Sequence, residues 1–352
     1  CIRDRASTTA AGFRSHSDFD SLKAFRLRPK PPMSWRSREP IRLSVAAAVA
    51  TASFVGITHH SRADQEPAFT NVTDDAGVSY LQWAPPRGTI TASPQVMTGG
   101  AAVADYDLDG WPDLFVTRYR DTDILFRNLG DGTFEDVSQQ AGFDLVAPTN
   151  GAAWGDVDND GDPDLVLTVA DETADPLGNL LYINNGDGTF SERGREWGVD
   201  SEAPHWHSGF SVCFGDYDLD GWLDIHTCQW SVIARENRSL LLRNLGGVGQ
   251  FEDATVSAGV ELWQDPDAES PAEMTTDAFT SRLTDIDGDG WPDLVVAGDF
   301  ETSRLFWNRG DGTFSEGTSE ARIGGDENGM GLAVGDYDGD GLPDLFFTSI
   351  YD

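Results

Sequence analysis

The sequence predicts an all-β protein, a β-propeller whose strands are joined by acidic loops. Three observations carry that prediction. A nonapeptide of the form D-x-D-x-D-G-x-x-D occurs five times, beginning at Asp105, Asp156, Asp216, Asp285 and Asp336. Short apolar runs flank every copy, as in Gly100-Ala-Ala-Val-Ala before the first and Leu-Phe-Val-Thr after it. A second motif, Asn-x-Gly-Asp-Gly-Thr-Phe, follows three of the copies at Asn128, Asn184 and Asn308. The nonapeptides recur at intervals of 51, 60, 69 and 51 residues. Repeats of roughly 40–50 residues with about four strands each are the mark of propeller blades.

Taken in order, residues 1–32 contain no initiator Met and no pattern, and read as an upstream segment foreign to the protein. Residues 33–63 read as a secretory signal. Arg36, Arg38 and Arg42 form its basic region, Leu43 to Ile57 its apolar core, and Ser61-Arg-Ala63 a small-x-small cleavage site. A membrane anchor is the alternative, but the apolar stretch falls short of the ~20 residues that span a bilayer. No stable membrane span is therefore expected in the mature chain. Residues 64–352 are the repeat region. Phe69 to Gly77 has the pattern that ends a unit without the pattern that begins one. Each full unit then runs strand, acidic loop, strand, strand, Asp-Gly hairpin turn and a last strand before Ala-Gly. Unit three degrades the hairpin to Asn244-Leu-Gly-Gly-Val-Gly-Gln-Phe251, and an acidic insertion, Glu261 to Pro271, separates units three and four. The sequence stops just after the fifth loop, so it reads as C-terminally truncated, without a partner strand to close the propeller.

The loops carry the chemistry. A hard cation such as Ca²⁺ takes six to eight oxygens from a short, sharply turned loop. Aspartates at positions one, three, five and nine can supply them, with the backbone carbonyl of position seven. The candidate ligands are Asp105, Asp107, Asp109, Trp111 and Asp113 in the first loop, and Asp156, Asp158, Asp160, Asp162 and Asp164 in the second. The third offers Asp216, Asp218, Asp220, Trp222 and Asp224, and the fourth Asp285, Asp287, Asp289, Trp291 and Asp293. The fifth offers Asp336, Asp338, Asp340, Leu342 and Asp344. Glycine at position six permits the turn that a Cβ would resist. These are not EF-hands, which need a bidentate Glu at position twelve between two helices; position twelve here is Val116, Leu167, Thr227, Val296 and Phe347. Solvated Asp-rich turns are the plain alternative, since turns favour Asp and Gly, yet such turns need no fixed four-carboxylate spacing. About five Ca²⁺ sites are expected.

Charge narrows the partners. Residues 1–63 hold 11 Lys+Arg and 4 Asp+Glu; residues 64–352 hold 13 and 56, a balance of 13 − 56 = −43. Such a surface disfavours nucleic acid and anionic membranes.

Other residues of the chain admit both a functional and a plainer reading. Cys213 and Cys228 flank the third loop where units one, two and five place Ala102/Thr117, Ala153/Thr168 and Ala333/Thr348. Their joint appearance suggests a cross-strand disulfide. Two free buried thiols, or a zinc site with His205, His207 and His226, are the alternatives. Arg309-Gly310-Asp311 spells an integrin-binding tripeptide but occupies the repeat's own hairpin turn. Trp111, Trp222 and Trp291 suit packing between neighbouring blades better than a sugar platform. No nucleophile elbow, Gly-rich phosphate loop or HExxH motif occurs, so no enzyme is expected. The regular spacing of the carboxylates favours metal ligation over a glycosidase pair.

With these motifs in view, the chain resembles the FG-GAP/VCBS repeat proteins, among them the integrin α-subunit propeller. It is similar in particular to the cartilage acidic protein group, whose members often end in an ASPIC/UnbV domain; Glu327 to Asp338 carries that likeness. The resemblance implies a seven-bladed propeller of which about five blades are present. It also implies calcium ligation by positions one, three, five and nine of all five loops, with roles in adhesion and no catalytic residues. The expected protein is secreted, periplasmic or on the cell surface, and binds an extracellular protein or glycan. A polysaccharide-acting lyase or hydrolase and a structural cell-surface component are the alternative functions.

Overall fold

The computed structural model describes residues 69–82, 99–170, 177–200, 209–230, 239–246, 249–262, 277–323 and 328–349, and the backbone of 22–25. Residues 33–63, read above as a secretory signal, His205, His207 and all but the first two residues of the 261–271 insertion lie outside the described residues.

Strand β1 (Leu22–Phe25) comes first in the chain. The first blade is built from β2 (Ala101–Ala104), β3 (Asp113–Val116), β4 (Tyr119–Thr122), β5 (Ile124–Asn128) and β6 (Phe134–Asp136), followed by the single turn α1 (Ser138–Ala141). The second holds β7 (Val146–Gly155), β8 (Asp164–Val169), β9 (Leu180–Asn184) and β10 (Phe190–Glu192). The third holds β11 (Gly209–Gly215), β12 (Asp224–Gln229), β13 (Leu240–Asn244) and β14 (Phe251–Asp253), then α2 (Thr255–Ala258). The fourth holds β15 (Ala278–Thr284), β16 (Asp293–Gly298), β17 (Arg304–Asn308) and β18 (Phe314–Glu316), then α3 (Thr318–Ala321). The fifth begins with β19 (Gly329–Gly335) and β20 (Asp344–Ser349). Each of these five sheets is an antiparallel meander, with one exchange: β4 leaves the first blade and pairs with the start of β7. This is the β-propeller that the repeat pattern predicts.

The middle strands explain why the sheets stack. β8, β12 and β16 are buried at every position, because both faces of a blade meet a neighbour. Period two divides their side chains between two cores. Leu165, Leu167 and Val169 face the first blade beside Phe115 and Leu125, whereas Val166 faces the third beside Ile225 and Leu242. Leu294 and Val296 pack toward the third blade, Val295 and Ala297 toward the fifth. The core is thus a series of inter-blade layers rather than one central cluster.

The innermost strands approach closely. A Cβ on Gly100 would lie 2.2 Å from the Asn150 carbonyl of the next blade, so glycine is required there. Thr117 Oγ1 donates to that same carbonyl at 2.7 Å and accepts from the Gly100 N–H at 2.6 Å. The segment before the first blade docks on it through the Phe134 N–H, which donates to the Ala76 carbonyl at 2.8 Å. Trp197 and Phe251 repeat that bond between the second and third blades at 2.6 Å.

One expectation is corrected. The fifth blade does have a third strand, because β1 pairs antiparallel with β20, Leu22 opposite Thr348. An edge strand otherwise presents a row of unpaired backbone groups. Among the described residues no helix is long and apolar enough to cross a membrane.

Candidate metal centres

Every acidic loop joins the first two strands of a blade, so all five lie at equivalent places on the propeller. Glycine at position six takes the left-handed conformation in each loop, with φ of 93° at Gly110, 98° at Gly161, 93° at Gly221, 95° at Gly290 and 89° at Gly341. The position-one carboxylate organises the turn. Asp105 Oδ1 accepts from the Asp109 N–H at 3.0 Å and its Oδ2 from the Gly110 N–H at 2.9 Å. Asp156, Asp216, Asp285 and Asp336 accept the same pair of bonds in their loops.

Position nine begins the second strand and is buried. Asp113, Asp164, Asp224 and Asp293 are at most 2% exposed. Each spans two backbone donors. Asp164 Oδ2 accepts from Val157 at 2.9 Å and Oδ1 from Asn184 at 2.8 Å; Asp224 serves Tyr217 and Asn244, and Asp293 serves Ile286 and Asn308. Burial raises these carboxyl groups against the opposing pull of the two hydrogen bonds, Asp113 to about 6 and Asp164, Asp224 and Asp293 to about 7. An ionised carboxylate so placed favours a cation beside it.

Three of the four candidate carboxylates converge in each loop. Oxygens of Asp105, Asp107 and Asp113 lie within 4.8 Å of one another, as do those of Asp156, Asp158 and Asp164, of Asp216, Asp218 and Asp224, and of Asp336, Asp338 and Asp344. In the fourth loop the converging trio is Asp285, Asp287 and Asp289. Position five therefore stands apart in four loops. Asp109, Asp160, Asp220 and Asp340 accept the backbone N–H of position seven, that is of Trp111, Asp162, Trp222 and Leu342, as Asp289 accepts that of Trp291 in the fourth loop. These residues fit a metal ion. The donor set is all hard oxygen, and Asp107 Oδ1 is a buried atom without a hydrogen-bond partner.

Two kinds of residue at the loops escaped the sequence pattern. Arg127 Nε forms an ion pair with Asp107 Oδ2 at 2.6 Å, and its Nη2 donates to Asp109 Oδ2 at 3.1 Å. Arg243 repeats this on Asp218 and Asp220 at 2.6 and 3.1 Å. The motif asparagines link loops in different blades. Asn184 Nδ2 donates to the Tyr106 carbonyl in the first loop at 2.9 Å, Asn244 to Val157 in the second at 2.8 Å, and Asn308 to Tyr217 in the third at 2.8 Å. Their constant place beside the hairpin was the available signal, but only the stacking of blades reveals the acceptor.

Two other expectations change. Cys213 and Cys228 are free, buried thiols. The register sets Cys213 opposite His226 and Cys228 opposite Ser211, so the two are diagonal rather than facing. Ser281 of the fourth blade lies between them and the ring, with its Oγ 3.4 Å from Cys213 Sγ and 2.8 Å from His226 Nδ1. Burial holds His226 down to about 3 and pushes both thiols up. Among the described residues no Cys or His joins a metal-competent group. The loop tryptophans do not fill the gaps between blades. They lie on the hairpin glycine of their own blade, where a Cβ on Gly130, Gly246 or Gly310 would fall 2.6–2.8 Å from the indole of Trp111, Trp222 or Trp291. Arg309 to Asp311 is the expected hairpin turn, closed by the Arg309 N–H on the Thr313 carbonyl at 2.9 Å.

Comparison with known proteins agrees with the geometry. The FG-GAP-like repeat family matches residues 105–167, 169–227 and 285–347, together more than half of the chain. Cartilage acidic protein 1 of Homo sapiens is 26% identical over 221 residues, covering 60% of this chain and 30% of that protein. The Mus musculus protein is 25% identical over 244 residues, covering 68% and 34%. The chain thus spans about a third of the length of these relatives. Among solved structures, an Agrocybe aegerita lectin described as recognising non-reducing terminal N-acetylglucosamine aligns with a TM-score of 0.41 and 20% identity, covering 71% of this chain and 60% of the lectin. The V. cholerae biofilm matrix protein Bap1 aligns with a TM-score of 0.35 and 19% identity, covering 67% and 41%. With its matched repeats coinciding with the acidic loops and the blades around them, this chain belongs to the FG-GAP-like repeat family.

Proposed function

We propose that the protein is an exported, calcium-loaded propeller that serves as an adhesion or ligand-binding scaffold rather than an enzyme. One observation supports this above the others: five carboxylate trios recur at equivalent places in five blades, a symmetry that suits a structural ion more than a single reaction centre. Bound calcium would supply the positive charge that each loop needs to hold several carboxylates in one turn. Positions one, three and nine would hold it in most loops. The strongly acidic surface directs the partner search toward extracellular proteins and glycans, and away from nucleic acid.

Thermal unfolding of residues 64–352 in Ca²⁺, Mg²⁺ and chelator tests the metal part. A steep, Ca²⁺-selective rise in melting temperature is expected. Equal melting in all three would refute structural calcium. Immobilised, calcium-loaded protein probed with extracellular matrix proteins and a glycan array tests the scaffold part; saturable, chelator-sensitive binding is expected. Turnover of a polysaccharide without stable binding would overturn the scaffold reading.

A further inference from the structure

An open cavity of about 450 Å³ lies at the first blade, at the end of β3 away from the acidic loop. β3 runs from Asp113 in that loop to Val116, and Val116 pairs with Ile124 at the start of β5. Asp123 therefore sits at the opposite end of the blade from the candidate metal centre. It lines the cavity and is only 6% exposed. The Arg118 N–H donates to its Oδ1 at 2.7 Å, and the Thr149 hydroxyl of the second blade does so at 2.6 Å. Both bonds fall on Oδ1, and among the described residues no other group bonds the carboxylate, so Oδ2 faces the cavity. The rest of the lining suits a cation on a carbon stem. Asp136 and Asp144 add two exposed carboxylates, and the buried Ile124 and Phe143 add apolar wall. Arg118 also lines the cavity, but its guanidinium is engaged by Asp121 at 3.1 Å and by the Thr122 carbonyl and hydroxyl at 2.6 and 3.0 Å. The three lining carboxylates do not converge as those of the acidic loops do, which suits an extended organic cation better than a bare metal ion.

We propose that this cavity binds a lysine side chain of a partner protein, with Asp123 Oδ2 accepting a hydrogen bond from the ammonium and Asp136 and Asp144 at the rim. The proposal rests on the scaffold reading above and gives its partner a chemistry. Asp123 offers one open oxygen. A guanidinium gains its advantage from two parallel bonds to one carboxylate, whereas an ammonium is a point charge that needs a single acceptor. A lysine stem can lie along the apolar wall while its charged end is bonded; an amino sugar carries the same charge without the stem. Residues 64–352 contain no Lys, so a second copy of the repeat region cannot be the donor. Burial raises Asp123 to about 7, so binding should strengthen as pH rises and the carboxylate ionises. The charged and titratable groups around it are Arg118 and Asp121 on one side, Asp136 and Asp144 beside α1, and Tyr182 of β9.

The test is a ligand-observed NMR titration of the full chain, in Ca²⁺-containing buffer, with Nα-acetyl-lysine amide. The comparison probes are its Nε-acetylated form, Nα-acetyl-arginine amide and glucosamine. The lysine probe should bind saturably and more tightly than all three. Asp123→Asn keeps a carbonyl oxygen for the Arg118 and Thr149 donors but presents an N–H to the cavity, and should weaken lysine binding by roughly tenfold or more. Glu320→Gln, an exposed charge on α3 of the fourth blade, should leave it unchanged, which separates the site from general attraction to an acidic surface. Asp144→Asn at the exposed rim should weaken it severalfold, and serves if circular dichroism shows Asp123→Asn unfolded. In the wild type, binding should weaken by roughly tenfold from pH 8 to pH 6. No lysine binding, equal binding of the Nε-acetylated probe, or variants at Asp123 and Asp144 that titrate like the wild type would overturn the proposal. Preference for glucosamine or for the arginine probe would overturn the assignment to lysine. All of these leave the matrix-binding test of the scaffold reading intact; failure of that test with lysine binding retained would overturn the scaffold reading instead.

Discussion

Buried carboxylates set the response of this protein to pH. Asp164, Asp224 and Asp293 at the loops, and Asp123 beneath Thr149, are raised to about 7 by burial. Asp123 keeps two bonds, from the Arg118 N–H at 2.7 Å and the Thr149 hydroxyl at 2.6 Å. A carboxyl group with a folded value above its unfolded one stabilises the fold at low pH, and that stability is lost as pH rises through the folded value. In chelator, melting temperature should therefore fall between about pH 4 and pH 7. In saturating Ca²⁺ the slope should reverse, because the ion binds only the ionised groups. Differential scanning calorimetry across that range checks both slopes; parallel slopes would contradict metal binding at position nine. The loop glycines offer a second residue-scale test. No atom lies within 4 Å of a Cβ built on Gly110, so Gly110→Ala meets only the cost of its φ of 93°. A loss of about 1–2 kcal/mol by denaturant titration is expected.

At the scale of elements, the third-strand asparagine of blades two, three and four is the joint to the preceding blade. Asn184 ties its own loop through the Pro163 carbonyl at 3.2 Å and the preceding loop through the Tyr106 carbonyl at 2.9 Å. Asn184→Ala leaves buried acceptors unpaired and should cost about 2–3 kcal/mol. Hydrogen exchange should accelerate in both the first and second blades; acceleration in the second alone would remove the joint. The hairpins follow directly from the repeat, as Asp131, Asp187 and Asp311 show by accepting the same Thr N–H in three turns, whereas the single helical turns after blades one, three and four were not read from it. The exchange of β4 into the second sheet was not legible, because Tyr119–Thr122 has no distinctive pattern and its partner is the bulged start of β7.

For the whole molecule, adjacent blades share each core layer, so stability should spread mainly between neighbours. Asp156→Ala removes the carboxylate that accepts the Asp160 and Gly161 N–H groups. Its exchange protection should fall most in the second blade, less in the first and third, and least in the fifth. Uniform loss across the blades would show one cooperative unit instead.

What the sequence determined by itself is the local and repeated part: propeller class, loop positions, hairpins and the aspartates that converge. Those features depend on spacing within one unit, and residues close in sequence stay close in space. Tertiary structure alone decided the relations between units. The free state of Cys213 and Cys228 turns on a register that leaves them two residues out of opposition, and on the stacking that brings Ser281 of the next blade beside Cys213. The seat of Trp111 depends on where its own hairpin folds back. The acceptors of Asn184, Asn244 and Asn308 lie 78, 87 and 91 residues away, beyond any local pattern. Arg127 reaches Asp107 only because the third strand pairs beside the second. Contacts of this kind are set by the stacking of twisted sheets, and no single repeat contains both partners of an inter-blade bond.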